Sequence, residues 1–300
     1  MKRFAAITGS LVVLGACPAI AQTPLGAATG DVAYGPYPIE TMQVCEPEGP
    51  SVPERVASLV IHGGAWVSED KRLPWFSTIC STLAAHGIVA FNLNYRLIRM
   101  ADKSNPWPAQ LEDVQLAMRW VRAHAKEYNV DPRRVCALGT SAGGNLATLL
   151  GVQQTIMPQL KGEDPQNETA LYPDQSPQAS CVVDISGPTD LVNLSSPSSI
   201  PLAAMASSLT DMKSLEQALT QISPIGMVNQ HSAPMLVVYG TADHAVPPAT
   251  QALPFYQALK DKGIPAKLLE YTGHHALGMT APDEVTRVMD AVAAFEKDPR

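Results

Sequence analysis

A serine set between glycines is the first residue in this sequence whose surroundings suggest chemistry. The run Gly139-Thr140-Ser141-Ala142-Gly143 follows a short apolar segment and opens a segment with helical periodicity. A serine on a sharp strand-to-helix turn exposes its hydroxyl, and the helix behind it offers N–H groups to a developing negative oxygen. The flanking glycines avoid clashes in such a tight turn. This pattern predicts Ser141 as a nucleophile for acyl transfer.

A serine nucleophile needs a histidine to take its proton and a carboxylate to orient that histidine. Asp243 follows the apolar run 235–239, and His275 follows the next such run, 266–271. The resulting chain order of serine, acid and histidine is that of the α/β-hydrolases. We therefore predict Asp243 as the acid and His275 as the base. Asp190 is a rival acid, although it is better placed to cap the segment after it, and His274 is a rival base.

A second glycine-rich run follows another apolar segment. His62-Gly63-Gly64-Ala65-Trp66 comes directly after the residues ending at Ile61. Acyl transfer creates a negative oxygen that needs preset donors, and glycines let the backbone approach it closely. The N–H groups of Gly63, Gly64 and Ala142 are the predicted donors of this oxyanion hole. His62 is interpreted as structural, holding the loop by hydrogen bonds.

These residues must be positioned by strands and helices that alternate along the chain. The strand-like runs are apolar throughout, which is typical of strands covered on both faces and therefore of a mostly parallel sheet with helices on both faces. The predicted strands are 58–61, 88–94, 134–138, 181–185, 235–239 and 266–271, and the predicted helices are 74–86, 108–126, 142–150, 248–260 and 283–295.

The alternation is broken late in the chain, at residues 191–232. This segment carries a serine- and proline-rich stretch and then a helical pattern around 215–222. Long insertions of this kind often form a lid or one wall of a pocket. Because nothing in the composition divides the chain, residues 22–300 are predicted to form one domain, with 191–232 as a possible lid or pocket wall.

Residues 1–21 have the pattern of a signal peptide. Lys2 and Arg3 precede a short apolar run, and Ala19-Ile20-Ala21 is a small-x-small cleavage site before Gln22. The run is too short to span a membrane. We expect a periplasmic or secreted protein. Lipid anchoring at Cys17 is the alternative, because the residues before it loosely resemble a lipobox.

Composition limits the classes of partner. The 300 residues are 46% hydrophobic and 16% charged, with a net charge of −7. Cleavage after Ala21 would remove two basic and no acidic residues, leaving −9. Such a charge disfavours phosphate backbones, so nucleic acid is not an expected partner. No later segment has the length of an apolar membrane span.

Four cysteines would remain after that cleavage, and an exported protein could pair them in disulfides. Cys136 and Cys181 lie inside strand-like runs and are interpreted as small buried apolar residues. Cys45 and Cys80 could form a disulfide in an exported protein, but the sequence does not show whether they do. No spacing resembles a zinc site.

Taken together, these runs resemble a known family. Four segments are similar to bacterial acetyl-, xylan- and feruloyl-ester hydrolases, which are related to the hormone-sensitive-lipase-like esterases. They are the run 62–66, Asn94-Tyr95-Arg96-Leu97, the run 108–113 and the serine turn. The resemblance covers about residues 56–295. It implies an eight-stranded α/β-hydrolase fold, no cofactor and hydrolysis of carboxylic esters. Trp66 is assigned to substrate binding. Ala65 departs from the family, because many relatives have a third glycine there.

The expected function is therefore an exported serine carboxylesterase that hydrolyses short-chain esters, with acylated plant polysaccharide as one substrate class. An amide hydrolase, such as a formamidase or small peptidase, would use the same fold and the same three residues. A non-catalytic binding module is disfavoured by the intact serine, acid, histidine and glycines. The sequence does not specify the acyl group, the alcohol or the oligomeric state.

Overall fold

The computed structural model describes residues 28–50, 52–99, 101–153, 171–194, 214–278 and 280–300. The predicted signal peptide and Cys17 lie outside the described residues. So does the middle of the predicted lid, residues 195–213. Among the described residues, no helix has the length and apolar character needed to cross a membrane.

A single eight-stranded sheet runs through the described part of the chain, in the order β1-β2-β4-β3-β5-β6-β7-β8. Strands β1 and β2 pair antiparallel with their neighbours, and all the other pairs are parallel. The strands are β1 Ala28–Ala33, β2 Thr41–Cys45, β3 Arg55–Ile61, β4 Val89–Leu93, β5 Val130–Thr140, β6 Val182–Ile185, β7 Met235–Gly240 and β8 Ala266–Tyr271.

Helices cover both faces of this sheet. They are α1 Pro74–Ala85, α2 Ala109–Ala123, α3 Ala142–Val152, α4 Leu215–Gln221, α5 Pro224–Met227, α6 Ala252–Asp261 and α7 Pro282–Lys297, with a short 3₁₀ turn at His275–Leu277. Successive side chains of β3 enter different cores: Leu59 packs in the core with α2, α3 and α6, and Val60 packs in the core with α1 and α7. This alternation is why every residue of β3 after the first is buried. The predicted α/β fold is confirmed.

The predicted strands and helices all have counterparts, whereas β1 and β2 were not predicted. Strand β2 is only five residues long, and its residues alternate between buried and half-buried before a buried end. Strand β1 has an irregular register with β2. Neither has the long apolar run that marks a central strand.

The interpretation of two cysteines was wrong. Cys136 and Cys181 are buried, but they form a disulfide with a Cα–Cα distance of 4.5 Å. Cys136 lies on β5 and Cys181 directly precedes β6, so the parallel pairing of these strands brings the two together. Cys45 on β2 and Cys80 on α1 form a second disulfide, which the sequence had left open.

The segment 191–232 is described only at 191–194 and 214–232. Its described part contains α4 and α5. Leu219 and Ile222 are buried in the core on the α2 and α3 face, and the Ser223 hydroxyl accepts a hydrogen bond from the N–H of Leu191. The described ends of this segment are therefore packed onto the domain. Its role as a lid stays a prediction.

Candidate active site

Ser141 lies at the carboxyl edge of the sheet, between the end of β5 and the start of α3. Its φ and ψ are 54° and −122°, an uncommon backbone conformation for a residue with a side chain. The surrounding structure holds it there: the Ser141 N–H donates to the carbonyl of Ile185, and its carbonyl accepts from Asn145. Strain of this kind is often found at functional residues. The turn presents the hydroxyl at the end of the strand.

The glycines on both sides of Ser141 are required by close backbone contacts. A Cβ on Gly139 would lie 2.0 Å from the carbonyl oxygen of Gly143, and one on Gly143 would lie 2.2 Å from that of Ile61. Both separations are far below any real carbon contact. The crowding that the sequence suggested is therefore present in the fold.

Three predicted side chains form a hydrogen-bonded series. The Nε2 of His275 lies 2.8 Å from Ser141 Oγ, and its Nδ1 lies 2.8 Å from Asp243 Oδ2. Asp243 follows β7 and His275 follows β8, so the parallel strand order brings their loops to the edge where Ser141 lies. A histidine that donates from Nδ1 to a carboxylate presents an unprotonated Nε2 to the serine hydroxyl.

The Asp243 side chain is fully buried, and several donors stabilise its charged form. Its Oδ1 accepts hydrogen bonds from the N–H groups of Ala245 at 3.0 Å and Val246 at 2.9 Å. Burial by itself would raise the pKa of this carboxyl. The hydrogen bond with His275 and the one from Val246 outweigh that effect, so the pKa lies below its ordinary value. The carboxylate is thus held ionised beside the imidazole.

The two rival residues are not part of this series. His274 is exposed, and its carbonyl accepts a hydrogen bond from the Tyr271 hydroxyl at 2.6 Å. Asp190 accepts hydrogen bonds from the N–H of Asn193 at 3.2 Å and from its side chain at 2.7 Å, so it caps the segment that follows it. The structure brings His275 and Asp243 to Ser141, and it does not bring these rivals there.

The predicted oxyanion donors lie around the same serine. A Cβ on Gly63 would be 3.2 Å from Ser141 Cβ, which places this backbone against the predicted nucleophile. Gly64 has φ +84°, and a Cβ there would lie 2.1 Å from the carbonyl oxygen of Ser68. Ala142 is the first residue of α3, so its N–H has no acceptor within the helix. These positions could stabilise a developing oxyanion.

His62 supports the glycine loop from behind. It is 1% exposed, and its ring stacks on Tyr95 with centroids 4.3 Å apart. The Tyr95 hydroxyl lies 3.1 Å and 2.9 Å from the carbonyl oxygens of His62 and Gly63. Burial lowers the pKa of His62 to about 4, although a hydrogen bond with the Gly63 backbone opposes this effect. His62 is therefore neutral near pH 7 and has the structural position that was predicted.

Trp66 does not occupy the position expected of a substrate contact. Its side chain is 3% exposed and belongs to the core on the α2 and α3 face, while its carbonyl accepts a hydrogen bond from the N–H of Ile98. The indole contributes a large apolar surface to that core. The assignment of Trp66 to substrate binding is therefore corrected.

Sequence reasoning missed further residues at this site. Ser186, with φ 54°, hydrogen-bonds to the Asp243 carboxylate and accepts from the N–H of Ala276 at 3.3 Å. The Tyr271 hydroxyl accepts from the N–H of Leu277 at 2.8 Å. Both therefore position the loop that carries His275. Ser186 in a loop and Tyr271 at the end of β8 are isolated hydroxyl residues, and no sequence pattern could have revealed their role.

Comparison with known proteins places the chain among hydrolases of this fold. The BD-FAE family model matches residues 42–259. Esterase LipQ of Mycobacterium tuberculosis is 29% identical over 90% of this chain and 62% of its own length, and esterase LipC of the same organism is 27% identical over 76% and 54%. The matches thus span little more than half of these relatives.

Solved structures agree on the fold. A truncated carbohydrate esterase from gut microbiota superposes with a TM-score of 0.76 and 23% identity, covering 91% of this chain and 98% of that one. An acetyl ester-xyloside bifunctional hydrolase from Caldicellulosiruptor lactoaceticus superposes with a TM-score of 0.67 and 24% identity, covering 92% and 98%. These identities support the architecture alone. With most of the chain matched by the family model and the fold shared, this protein belongs to the BD-FAE family of α/β hydrolases.

Proposed function

We propose that this protein is an exported serine carboxylesterase that hydrolyses short-chain carboxylic esters, with acylated plant polysaccharide as one substrate class. The observation that carries the proposal is the hydrogen-bonded series from Ser141 through His275 to Asp243, with both contacts at 2.8 Å. It lies against a glycine loop that can stabilise an oxyanion. Nucleophile, base, acid and oxyanion donors are thus together at one edge of the sheet.

In the first half-reaction, Ser141 Oγ attacks the ester carbonyl carbon while His275 Nε2 takes the hydroxyl proton. Asp243 stabilises the imidazolium that results. The carbonyl oxygen becomes negative and is held by backbone N–H groups at Gly64, Ala142 and Gly63. The tetrahedral intermediate then collapses: the bond to the alcohol oxygen breaks, and His275 gives its proton to the leaving alcohol. An acyl-enzyme on Ser141 remains.

In the second half-reaction, His275 activates a water molecule that attacks the acyl carbonyl carbon. The same donors hold the second oxyanion. When this intermediate collapses, the bond to Ser141 Oγ breaks, the serine recovers a proton from His275 and a carboxylic acid is released. The three side chains return to their starting protonation states, so one alignment serves both steps.

The choice of ester as substrate is supported by the names of the similar proteins. Two of them are called esterases, and the two solved structures are called a carbohydrate esterase and an acetyl ester-xyloside hydrolase. Amides would engage the same three residues, so the bond type must be measured directly.

The central experiment compares the wild-type protein with Ser141→Ala. We expect the rate at which the wild-type protein hydrolyses 4-nitrophenyl esters to decline as the acyl chain lengthens. We also expect the wild-type protein to release acetate from acetylated xylan and to be labelled by a fluorophosphonate. Removing a serine nucleophile costs on the order of 10⁶ in turnover. A Ser141→Ala protein with wild-type circular dichroism should therefore lose both activity and labelling. Retention of more than about a tenth of the activity contradicts the proposal, and faster cleavage of matched 4-nitroanilides favours an amide hydrolase.

Export is supported by the pattern of residues 1–21 and by the two disulfides, which are typical of oxidising compartments. Peptide mass mapping of the protein from an exporting bacterial host should give Gln22 as the mature N-terminus. A diacylglyceryl-modified Cys17 would instead place the enzyme on a membrane surface. An intact Met1 in the purified protein would contradict export through this segment.

A further inference from the structure

An acidic side chain lies over the glycine loop beside the nucleophile. A Cβ on Gly63 would be 3.2 Å from Glu69 Oε2 and 3.2 Å from Ser141 Cβ, so the carboxylate and the serine flank the same face of Gly63. A Cβ on Gly64 would meet Glu69 Cγ at 2.9 Å. The side chain of Glu69 thus runs along both glycines toward Ser141.

The Glu69 carboxylate competes for a donor that the reaction needs. Burial raises its pKa, while a hydrogen bond from the Gly63 backbone and the nearness of His275 oppose that rise. The Gly63 N–H is also one of the groups that would hold the ester oxyanion. In the free protein, therefore, a carboxyl oxygen from the chain itself already lies at part of this position.

The backbone around Glu69 fixes where this side chain starts. Glu69 has φ +73°, a strained conformation for a residue with a side chain. The next residue, Asp70, is anchored because it accepts hydrogen bonds from the Asn94 side chain at 2.7 Å and the Arg72 N–H at 2.8 Å. Lys71 is buried, and its N–H donates to Asn94 at 2.7 Å. The Glu69 side chain, by contrast, is partly buried against the glycines and partly exposed to solvent. It can move aside while its backbone stays in place.

We propose that Glu69 is a specificity-determining residue. Its carboxylate occupies part of the oxyanion site until an ester displaces it. The displaced carboxylate then faces the bound ester and disfavours substrates with negative charge near the scissile carbonyl. Esters that carry a positive charge or hydroxyl groups there are favoured, because they can pair with or donate to the displaced carboxylate. The inference rests on the proposed ester hydrolysis and adds to it the charge class of the substrate.

The size of the expected effect follows from the partial exposure of Glu69. Two charges about 4–6 Å apart at a protein surface interact strongly enough to change a rate several-fold, and solvent weakens this further. We therefore expect discrimination of about three- to tenfold at low ionic strength, with less at high salt.

The test uses three acetyl esters of similar size. They are acetylcholine, O-acetylglycolamide and O-acetylglycolate, which carry a positive charge, no charge and a negative charge close to the ester oxygen. Acid release is followed by pH-stat titration for the wild-type protein, Glu69→Gln and Glu69→Gly. The glutamine variant removes the charge and keeps the shape. Glycine readily adopts the positive φ of residue 69, so the glycine variant should fold and can replace the glutamine variant if glutamine impairs folding.

A matched control is Glu127→Gln. Glu127 is exposed and lies just before β5 begins, at the sheet edge opposite Ser141. This variant removes the same net charge from the molecule, so it reports any effect of overall charge on substrate approach. Its three kcat/KM values should equal those of the wild-type protein.

We expect the ratio of kcat/KM for O-acetylglycolate to that for O-acetylglycolamide to rise by about three- to tenfold in both Glu69 variants, and the ratio for acetylcholine to fall. Ratios within about twofold of wild type in both variants, with the wild-type enzyme active on the neutral ester, would overturn the inference and leave the proposed function intact. If no acetyl ester is cleaved and Ser141 is not labelled by a fluorophosphonate, the proposed function fails and this inference fails with it.

Discussion

At the scale of single residues, the positions of Ser141, Asp243 and His275 were predictable because each follows a strand-like run in an order typical of the fold. The choice of His275 over His274 rested on a small and then a bulky apolar residue after it. Trp66 was misassigned because the sequence cannot show on which side of a loop an indole lies. Glu69 was not predicted at all, since a lone carboxylate in a loop forms no pattern.

The histidine assignment leads to a direct comparison of neighbours. His275→Ala should lower kcat by about 10³-fold or more, because the serine loses its base. His274→Ala is its matched control, since His274 is exposed and contributes a carbonyl rather than its ring to the loop. It should keep at least about a tenth of the wild-type rate. Both should show wild-type circular dichroism. The reverse result would move the base by one residue.

The oxyanion loop can be tested by substituting two glycines that have nearly the same positive φ angle. Gly64 and Gly87 have φ of +84° and +83°, but a Cβ on Gly64 collides with Ser68, whereas a Cβ on Gly87 meets nothing within 4 Å. Gly64→Val should displace the loop and lower kcat by about 10²-fold, the cost of one lost donor. Gly87→Val should be destabilised by its positive φ and keep its kcat. Equal kcat losses in the two variants would mean that strain, and not the oxyanion site, explains the effect.

At the scale of strands and helices, prediction succeeded for strands buried on both faces. The central parallel strands β3 to β7 each contain a buried and mostly apolar run, because successive side chains enter one of two cores. Strands β1 and β2 lie at one end of the sheet and pair antiparallel. Their composition therefore lacks that signal. Some ionisable groups are also buried although the sequence does not predict their burial, and Asp184 on β6 is one of them.

Asp184 on β6 provides a pH test of that burial. Burial raises its pKa from 3.8 to about 8, against the effect of a hydrogen bond from the Gly187 N–H. Between these values the folded protein keeps a proton that the unfolded chain has released, so the free energy of unfolding falls as pH rises, by at most about 1.4 kcal/mol per pH unit from this group. Asp184→Asn stays neutral and can still accept that hydrogen bond. The variant should therefore gain stability relative to wild type on going from pH 5 to pH 8.

Urea unfolding at the two pH values measures this difference. Glu296 on α7 offers an independent second site, because burial raises its pKa to about 8 as well, despite the hydrogen bond from Ser58. Glu296→Gln should shift the pH dependence in the same direction, and the effects of the two substitutions should add if the sites do not interact. A stability difference between Asp184→Asn and wild type that is the same at pH 5 and pH 8 would show that Asp184 is already ionised in the folded protein.

At the scale of the whole molecule, the two faces of the sheet differ in how they are held. All four described cysteines lie in the core beneath α1 and α7, where one disulfide joins β2 to α1 and the other joins β5 to the residue before β6. The other core has no disulfide among the described residues and packs against α3, the helix that begins next to Ser141. Both disulfides therefore lie in the core beneath α1 and α7, and neither lies in the core that packs against α3. The sequence alone could not predict the Cys136–Cys181 disulfide, because their contact depends on the register of two parallel strands.

This arrangement predicts that the disulfides support stability and leave catalysis unchanged. The disulfides close loops with sequence separations of 35 and 45 residues, for which chain entropy gives about 4 kcal/mol each. The double variants Cys45→Ala/Cys80→Ala and Cys136→Ala/Cys181→Ala should each lower the free energy of unfolding by several kcal/mol, up to about that amount, with kcat on 4-nitrophenyl acetate unchanged at 25 °C. Each variant is the control for the other, because it retains one disulfide and should lose further stability when a reductant is added. A variant of all four cysteines should be insensitive to reductant. A reductant that frees all four thiols should also lower the free energy of unfolding of the wild-type protein. If that free energy does not change, side-chain packing and not the disulfides sets the stability of this layer.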